Sequence, residues 1–195
     1  MKNLVSIKTL IALCAFLLFL PNEVHNEVNE IYTHQNLAAK QASAKRVQLS
    51  GRWTHPPDIV ICDNVITINR AEKAIQFWKR LGYKFGKIEQ EEDVLKCSGD
   101  IYSVIKIMMP TNNDDMAGKI AVTQTTKIET TGENIAAEIK IWSWGVNKEL
   151  VLEHEIGHAL GWLHSGTRYH IMFPEWVGIG HSASGVNHSD YISYR

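Results

Sequence analysis

The chain lacks the charge excess and the long apolar segments that mark nucleic-acid-binding and membrane proteins. Its 195 residues carry a formal net charge of −1, with 20 Lys and Arg against 21 Asp and Glu. This balance provides no basic field for nucleic acid or anionic lipid, so neither is predicted as a partner. The longest apolar run, residues 10–20, has 11 residues and is shorter than the roughly 18–20 that a membrane-spanning helix needs.

That short apolar run has the layout of a secretory signal peptide over residues 1–20. Lys2 and Lys8 precede it, and polar residues 21–50, which show no sustained apolar face, indicate a linker or a short pro-segment. No small residues stand at the offsets of a good cleavage site, so the alternative is an uncleaved anchor over residues 4–20. We expect a secreted or extracytoplasmic protein without a stable membrane partner unless this segment is retained.

Cysteine is also scarce, with three residues in the whole chain. Cys14 lies in the N-terminal apolar run, which leaves Cys62 and Cys97 in the exported part. An even number of cysteines in an oxidising compartment predicts a disulfide between these two. The alternative is two buried free thiols.

The size of the chain suits one domain rather than two. A hydrophobic content of 45% is enough for a single core, and we assign it to residues 51–195. A monomer is the expected state.

One segment of this domain carries recognisable chemistry. His154 and His158 are four residues apart, so on a helix they share a face and their imidazoles can meet one ion. Neutral imidazole suits zinc, and a catalytic zinc ion takes three protein ligands and one water. Glu155 lies beside the first ligand but is rotated by about 100° from it, which makes it the candidate general base. His164 is the candidate third ligand.

The position of His164 constrains the end of this helix. If the helix continued straight, His164 would lie roughly 9 Å further along the axis than His158, out of reach of the same ion. The helix must therefore end between the two histidines. Gly161 is the residue where it can end, because glycine adopts the left-handed conformation that terminates helices.

The pattern His-Glu-x-x-His-x-x-Gly-x-x-His over residues 154–164 resembles that of the metzincin zinc metallopeptidases. Met172 matches the methionine turn that these enzymes place below the metal. Within the metzincins the chain is most similar to the matrixins, because Ser165 follows the third histidine and Met172 comes eight residues after it. Pro174, Glu175 and Trp176 are then similar to the wall of the family's S1′ pocket.

Further elements are predicted from local patterns. Residues 58–62, 83–90, 101–109, 120–128 and 135–143 read as strands, and Asn69 with Glu72 begins a first helix that ends at Gly82. The resemblance implies an α+β metzincin-like domain with a mixed, mostly parallel, twisted five-stranded sheet. It has an antiparallel edge strand at 120–128 and packs on the first helix and the active-site helix.

Three smaller predictions concern the surroundings of these elements. Asn147 is expected to cap the active-site helix, and Trp142 and Trp144 to pack beneath it from one face of a strand. At most a short turn fits after Ser189, where metzincins usually close with a helix.

Two other groups of residues are weaker candidates for metal binding. Asp114 and Asp115 could ligate calcium, as matrixins often do nearby, but a solvated loop is the favoured interpretation. A second metal on the remaining histidines is disfavoured because they lack ligand spacing, and we expect surface residues there. These histidines are His170, His181 and His188.

Together the motif and the resemblance predict a zinc-dependent metalloendopeptidase. Glu155 is expected to assist the attack of zinc-bound water on a peptide bond. The resemblance implies a protein or peptide substrate that lies along the edge strand by strand addition. The alternatives are a zinc amidase that acts on cell-wall peptides, and a noncatalytic binding domain that zinc stabilises.

Overall fold

The computed structural model describes residues 47–62, 64, 66–91, 97 and 102–188. Within them, five strands form one sheet with the spatial order β2-β1-β3-β5-β4. The strands are β1 (Asp58–Ile61), β2 (Ile88–Gln90), β3 (Val104–Met108), β4 (Ala121–Ile128) and β5 (Glu133–Ile141). All neighbours pair in parallel except β4 and β5, so β4 is an antiparallel edge strand. This confirms the predicted α+β fold with a mostly parallel mixed sheet.

Helix α1 (Ile68–Arg80) connects strand β1 to strand β2 along the chain. Its apolar positions recur at helical spacing, so Ala71, Ala74 and Trp78 lie on one buried face. The N-cap is Thr67, whose side chain accepts a hydrogen bond from the Arg70 backbone N–H, so the prediction of Asn69 as the cap was wrong. The helix does stop before Gly82 as predicted.

The strand predictions were right in position but not always in length. Of residues 83–90, the structure pairs only Ile88–Gln90 into the sheet. Tyr83 instead turns into the core, where its hydroxyl donates to the Val186 carbonyl oxygen at 2.7 Å. Residues 101–109 and 120–128 contain β3 and β4, and β5 begins and ends two residues earlier than predicted.

The core lies between one face of the sheet and two helices. Helix α2 (Ser143–Val146) is short, and helix α3 (Val151–Ala159) carries the histidine motif. Alternate residues of the central strands are fully buried on the core side, which fits strands covered by helices. They include Ile59, Ile61, Ile105, Ile107, Ile139 and Ile141. The Trp78 indole N–H donates to the Glu153 carbonyl oxygen at 2.8 Å, which joins α1 to α3.

The segment before α3 differs from the prediction. Strand β5 ends at Ile141, and the next residues form α2, so Trp142 and Trp144 do not share a strand face. Trp144 is 57% exposed and cannot pack beneath the active-site helix. Asn147 lies at the C-terminal end of α2, and the residue that precedes α3 is Leu150, with φ +63°. The predicted Asn147 cap was therefore wrong.

Cys62 and Cys97 are bonded to each other, with their Cα atoms 5.7 Å apart. In the described part of the chain, no helix combines the length and the apolar content that crossing a bilayer requires. The predicted signal peptide or anchor, residues 21–46 of the predicted linker and the predicted turn after Ser189 lie outside the described residues.

Candidate metal centre

Two of the predicted ligands lie one turn apart on α3. The ring centroids of His154 and His158 are 4.6 Å apart, as i and i+4 side chains on one face require. Helix α3 is buried around its first histidine, since His154 is 5% exposed. Its first turn is held by Glu153, whose carboxylate forms a bidentate ion pair with Arg70 at 2.8 and 3.0 Å. The fold thus fixes the helix that presents these rings.

The helix ends where the spacing requires. Gly161 has φ +108°, its N–H donates to the His158 carbonyl, and the Trp162 N–H donates to the Gly157 carbonyl. These two bonds form a Schellman motif, which reverses the chain direction. The Ala159 carbonyl also accepts a hydrogen bond from the Trp53 indole N–H at 2.9 Å.

An N-terminal strap, residues 48–50, holds the loop that leads to the third histidine. The Ser50 N–H donates to the Gly161 carbonyl and the Leu163 N–H donates to the Gln48 carbonyl, both at 2.8 Å. His164 is thereby brought back beside the helix. Its ring centroid lies 5.4 Å from that of His154 and 4.6 Å from that of His158. This confirms that the chain bends between the second and the third histidine.

The three imidazoles offer ligand atoms that lie within 4.8 Å of one another. His154 Nδ1 lies 2.7 Å from the Ile171 carbonyl oxygen, and His158 Nδ1 lies 2.7 Å from the Trp162 carbonyl oxygen. A carbonyl can only accept, so each Nδ1 carries the proton and each Nε2 keeps its lone pair. The Nε2 atoms of His158 and His164 are 3.1 Å apart. Two imidazole ligands of a tetrahedral zinc ion lie about 3.3 Å apart at Zn–N distances near 2.05 Å.

Burial keeps these histidines neutral. Desolvation lowers the pKa of His154 to about 3 and that of His158 to about 4. The imidazolium form of His158 is further disfavoured by the nearby charges of His164 and Lys119. Neutral rings with inward lone pairs are the state that binds a divalent transition metal. The donor set therefore fits zinc.

Glu155 lies on the same helix and its side chain enters the same cleft. It is 6% exposed, and desolvation raises the pKa of its carboxyl group to about 7. The hydroxyl of Thr123 on β4 donates to Oε2 of this carboxylate at 2.5 Å, and this bond and the charge of Lys119 both act to lower the pKa. Sequence reasoning missed Thr123, because its contact with Glu155 depends on the register of β4. In the structure, the alternation of exposed and half-buried residues along this strand places Thr123 on the inward face.

Met172 lies directly under the motif. It is fully buried, and a Cβ added at Gly157 would come within 2.4 Å of its sulfur. Its N–H donates to His170 Nδ1 at 3.0 Å, and its carbonyl accepts from the Ser165 N–H at 2.7 Å. His170 is 2% exposed, so the prediction that it is a surface residue was wrong.

A cleft of about 700 Å³ contains the three histidines and Glu155. The edge strand β4 and the residues before it form one wall, and Pro174 and Trp176 also line the cleft. Trp176 is fixed from outside, because Lys148 Nζ lies 3.9 Å from its ring centroid and its indole N–H donates to the Glu149 carbonyl. Glu175 lies between these two wall residues but does not line the cleft.

The weaker metal candidates do not assemble into sites. Asp115 forms an ion pair with Lys140 at 3.1 Å, and calcium is not supported at Asp114 and Asp115. His181 pairs with Glu149 at the surface, whereas His170 Nε2 lies 3.2 Å from the Ser184 carbonyl oxygen. His188 packs edge-on against the Tyr83 ring. Among the described residues, the His154, His158 and His164 group is the one arrangement of three such ligands.

The mixed sheet with an antiparallel edge, the helix that ends between its second and third histidine, and the buried glutamate define a zinc-peptidase type of domain. Residues 23–193 match the matrixin family, and the chain belongs to this family. The family uses zinc, so membership supports a zinc metallopeptidase, a hydrolase that acts on proteins or peptides. A search of curated proteins finds no match to the chain.

Proposed function

We propose that the chain is a zinc-dependent metalloendopeptidase in which Glu155 is the general base. The observation that carries the proposal is the position of this carboxylate, which shares an open cleft with three convergent imidazoles. A zinc ion that only stabilised the fold would need a fourth closing ligand, and it would have no use for a buried carboxylate beside it.

The ligands in this proposal are His154, His158 and His164, with Gly161 and Met172 as structural supports. When bound, zinc supplies a Lewis acid that polarises the scissile carbonyl and makes a water more acidic. Glu155 accepts one proton of the attacking water as the water oxygen bonds to the carbonyl carbon. The carbon–nitrogen bond then breaks, and Glu155 delivers that proton to the leaving nitrogen. No covalent enzyme intermediate is required.

The length of the cleft supports cleavage within a chain rather than at its end. Cleft-lining residues of the edge strand run from Ala121 to Lys127, a span of roughly 20 Å for an extended chain. An extended peptide can add to this edge by main-chain hydrogen bonds on both sides of the metal. Pro174 and Trp176 would then form the S1′ wall, with Glu175 facing away from the pocket.

The protein in this proposal is exported, as the N-terminal apolar run and the Cys62–Cys97 pair both favour. Residues 1–20 act as signal peptide or anchor, residues 21–50 as linker or pro-segment, and residues 51–195 as the catalytic domain, to which the strap at the end of the linker stays bound. The catalytic domain is proposed to act as a monomer.

The test compares wild type with Glu155→Gln on an unstructured protein and on a cell-wall muropeptide. We expect the wild type to cut the protein, and the variant to retain zinc but lose turnover by roughly 10²–10⁴-fold, because a general base is removed. Zinc content is measured by elemental analysis of both proteins. Unchanged turnover in the variant would rule out Glu155 as the base, cleavage of the muropeptide alone would indicate the amidase, and no cleavage by a zinc-loaded wild type would indicate a binding domain.

A further inference from the structure

The edge strand does more than form a wall of the cleft. Five of its residues line the cleft, namely Ala121, Val122, Thr123, Thr125 and Lys127, and all but Val122 follow the two-residue period of a strand. Among them, Thr123 is the residue whose side chain reaches the general base. Its Oγ1 lies 2.5 Å from Glu155 Oε2 and 3.2 Å from the Glu155 carbonyl oxygen.

This contact holds one carboxylate oxygen and leaves the other open. Within the described residues, the structure gives no other hydrogen bond to the Glu155 carboxylate. Oε1 is not among the buried polar atoms that lack a partner, so it faces the accessible part of the cleft. A threonine on a sheet is stiff at χ1, which makes its hydroxyl a well-defined anchor. The carboxylate is thus fixed at one oxygen and available at the second.

We propose that Thr123 is a positioning residue for the hydrolysis: its hydroxyl holds Oε2 of Glu155 so that Oε1 meets the attacking water. This inference rests on the proposed function, because it needs Glu155 to be the general base. The residue does not touch the substrate's reacting atoms and binds no metal. It acts through Glu155, by restricting the orientations that the carboxylate can take.

A purely structural role would leave a different signature. If the hydroxyl only satisfied a buried carboxylate, its loss would lower stability but leave the turnover of the folded enzyme unchanged. If it positions the base, its loss lowers kcat at constant KM, because a misplaced catalytic group costs transition-state stabilisation. KM should stay constant because main-chain groups of β4, not this side chain, would pair with the peptide.

The experiment uses the zinc-loaded full chain with three substitutions. Thr123→Val removes the hydroxyl at nearly constant shape and should lower kcat by about 10- to 100-fold with KM within about twofold of wild type. Thr123→Ser restores the hydroxyl and should keep kcat within about fivefold. Thr126→Val is the matched control, because Thr126 lies on the same strand with its side chain exposed on the opposite face.

A second readout does not depend on activity. In the metal-free protein, Thr123→Val should lower the melting temperature, because it leaves a buried carboxylate without its hydrogen bond. The same substitution should have little effect in a Glu155→Ala background, where no carboxylate remains. Zinc stoichiometry should be equal in all variants, since Thr123 contacts none of the three histidines.

The outcomes separate this inference from the proposed function. Loss of activity in Glu155→Gln together with wild-type kcat in Thr123→Val would overturn the positioning role while the general base stands. A melting-temperature change that is equal in both backgrounds would also overturn it. If Glu155→Gln stays fully active, the proposed function itself fails. The proposal is supported if Thr123→Val lowers kcat, Thr123→Ser restores it, and Thr123→Val lowers the melting temperature less in the Glu155→Ala background than in wild type.

Discussion

Gly161→Ala is the substitution that tests most directly how the third histidine is placed. Gly161 has φ +108°, a backbone conformation in which a β-carbon is strained, at a cost of about 1–2 kcal/mol. An ideal Cβ at this position would lie 2.0 Å from the Gly51 carbonyl oxygen and 2.9 Å from its carbon. Both are backbone atoms, so the contact cannot be relieved by moving a flexible side chain.

The expected loss of unfolding free energy follows from the segments that must move to admit the added Cβ. To relieve the contact, Gly51 and the adjoining strap have to move away from the loop, and the two Ser50 bonds to the Gly161 carbonyl are lost or weakened. At about 1 kcal/mol per hydrogen bond, the total loss of unfolding free energy is about 3–4 kcal/mol. This is a large fraction of the 5–15 kcal/mol typical of a domain. The zinc affinity should also fall by about 10- to 100-fold, because the support of the His164 loop shifts.

The assay is urea unfolding of the metal-free protein together with zinc titration against a competing chelator. Gly166→Ala is the matched control. Gly166 is in the same loop region, has no positive φ, and has nothing within 4 Å of an added Cβ. The control should stay within about 0.5 kcal/mol of wild type. If Gly161→Ala matched the control in both measurements, the strap would not be what fixes the third ligand.

Three further predictions concern the third ligand, the disulfide and the core beneath the histidine motif. His164→Ala should lower zinc affinity by more than tenfold by chelator titration, because two imidazoles remain, and wild-type affinity would show that the third ligand is elsewhere. Mass spectrometry after alkylation without reductant should find Cys62 and Cys97 unmodified, and modification of both would remove the disulfide. Gly157→Ala should lower the free energy of unfolding by about 1–3 kcal/mol, because its Cβ would meet Met172 Sδ at 2.4 Å; a stability equal to that of wild type would show that the core yields there.

The local part of the site could be predicted from the sequence because its geometry is set by helix periodicity. Two histidines four residues apart must share a helix face, and a third histidine six residues further on forces a bend near Gly161. The antiparallel edge strand followed from the resemblance. The predictions from helix periodicity use only short-range constraints, and they agree with the structure.

The long-range part could not be predicted in this way. The bond from Thr123 to Glu155 depends on which residue of β4 faces the helix, and this in turn depends on strand register. The pairing of Ser50 with Gly161 joins residues 111 positions apart and has no local signal. Trp144 was misplaced because aromatic residues favour strands, whereas β5 had already ended at Ile141.

We expect the polypeptide itself to organise much of the metal centre, because contacts within the chain hold the rings and the loop of the third histidine. Backbone carbonyls of Ile171 and Trp162 fix the proton of two ligand rings at Nδ1, and the strap fixes the loop that carries His164. Each support comes from a segment outside α3, so we expect part of the entropy of ordering the rings to be lost during folding rather than on metal binding. Zinc affinity should therefore respond to substitutions in the strap and in the Met172 turn, even though neither segment supplies a ligand.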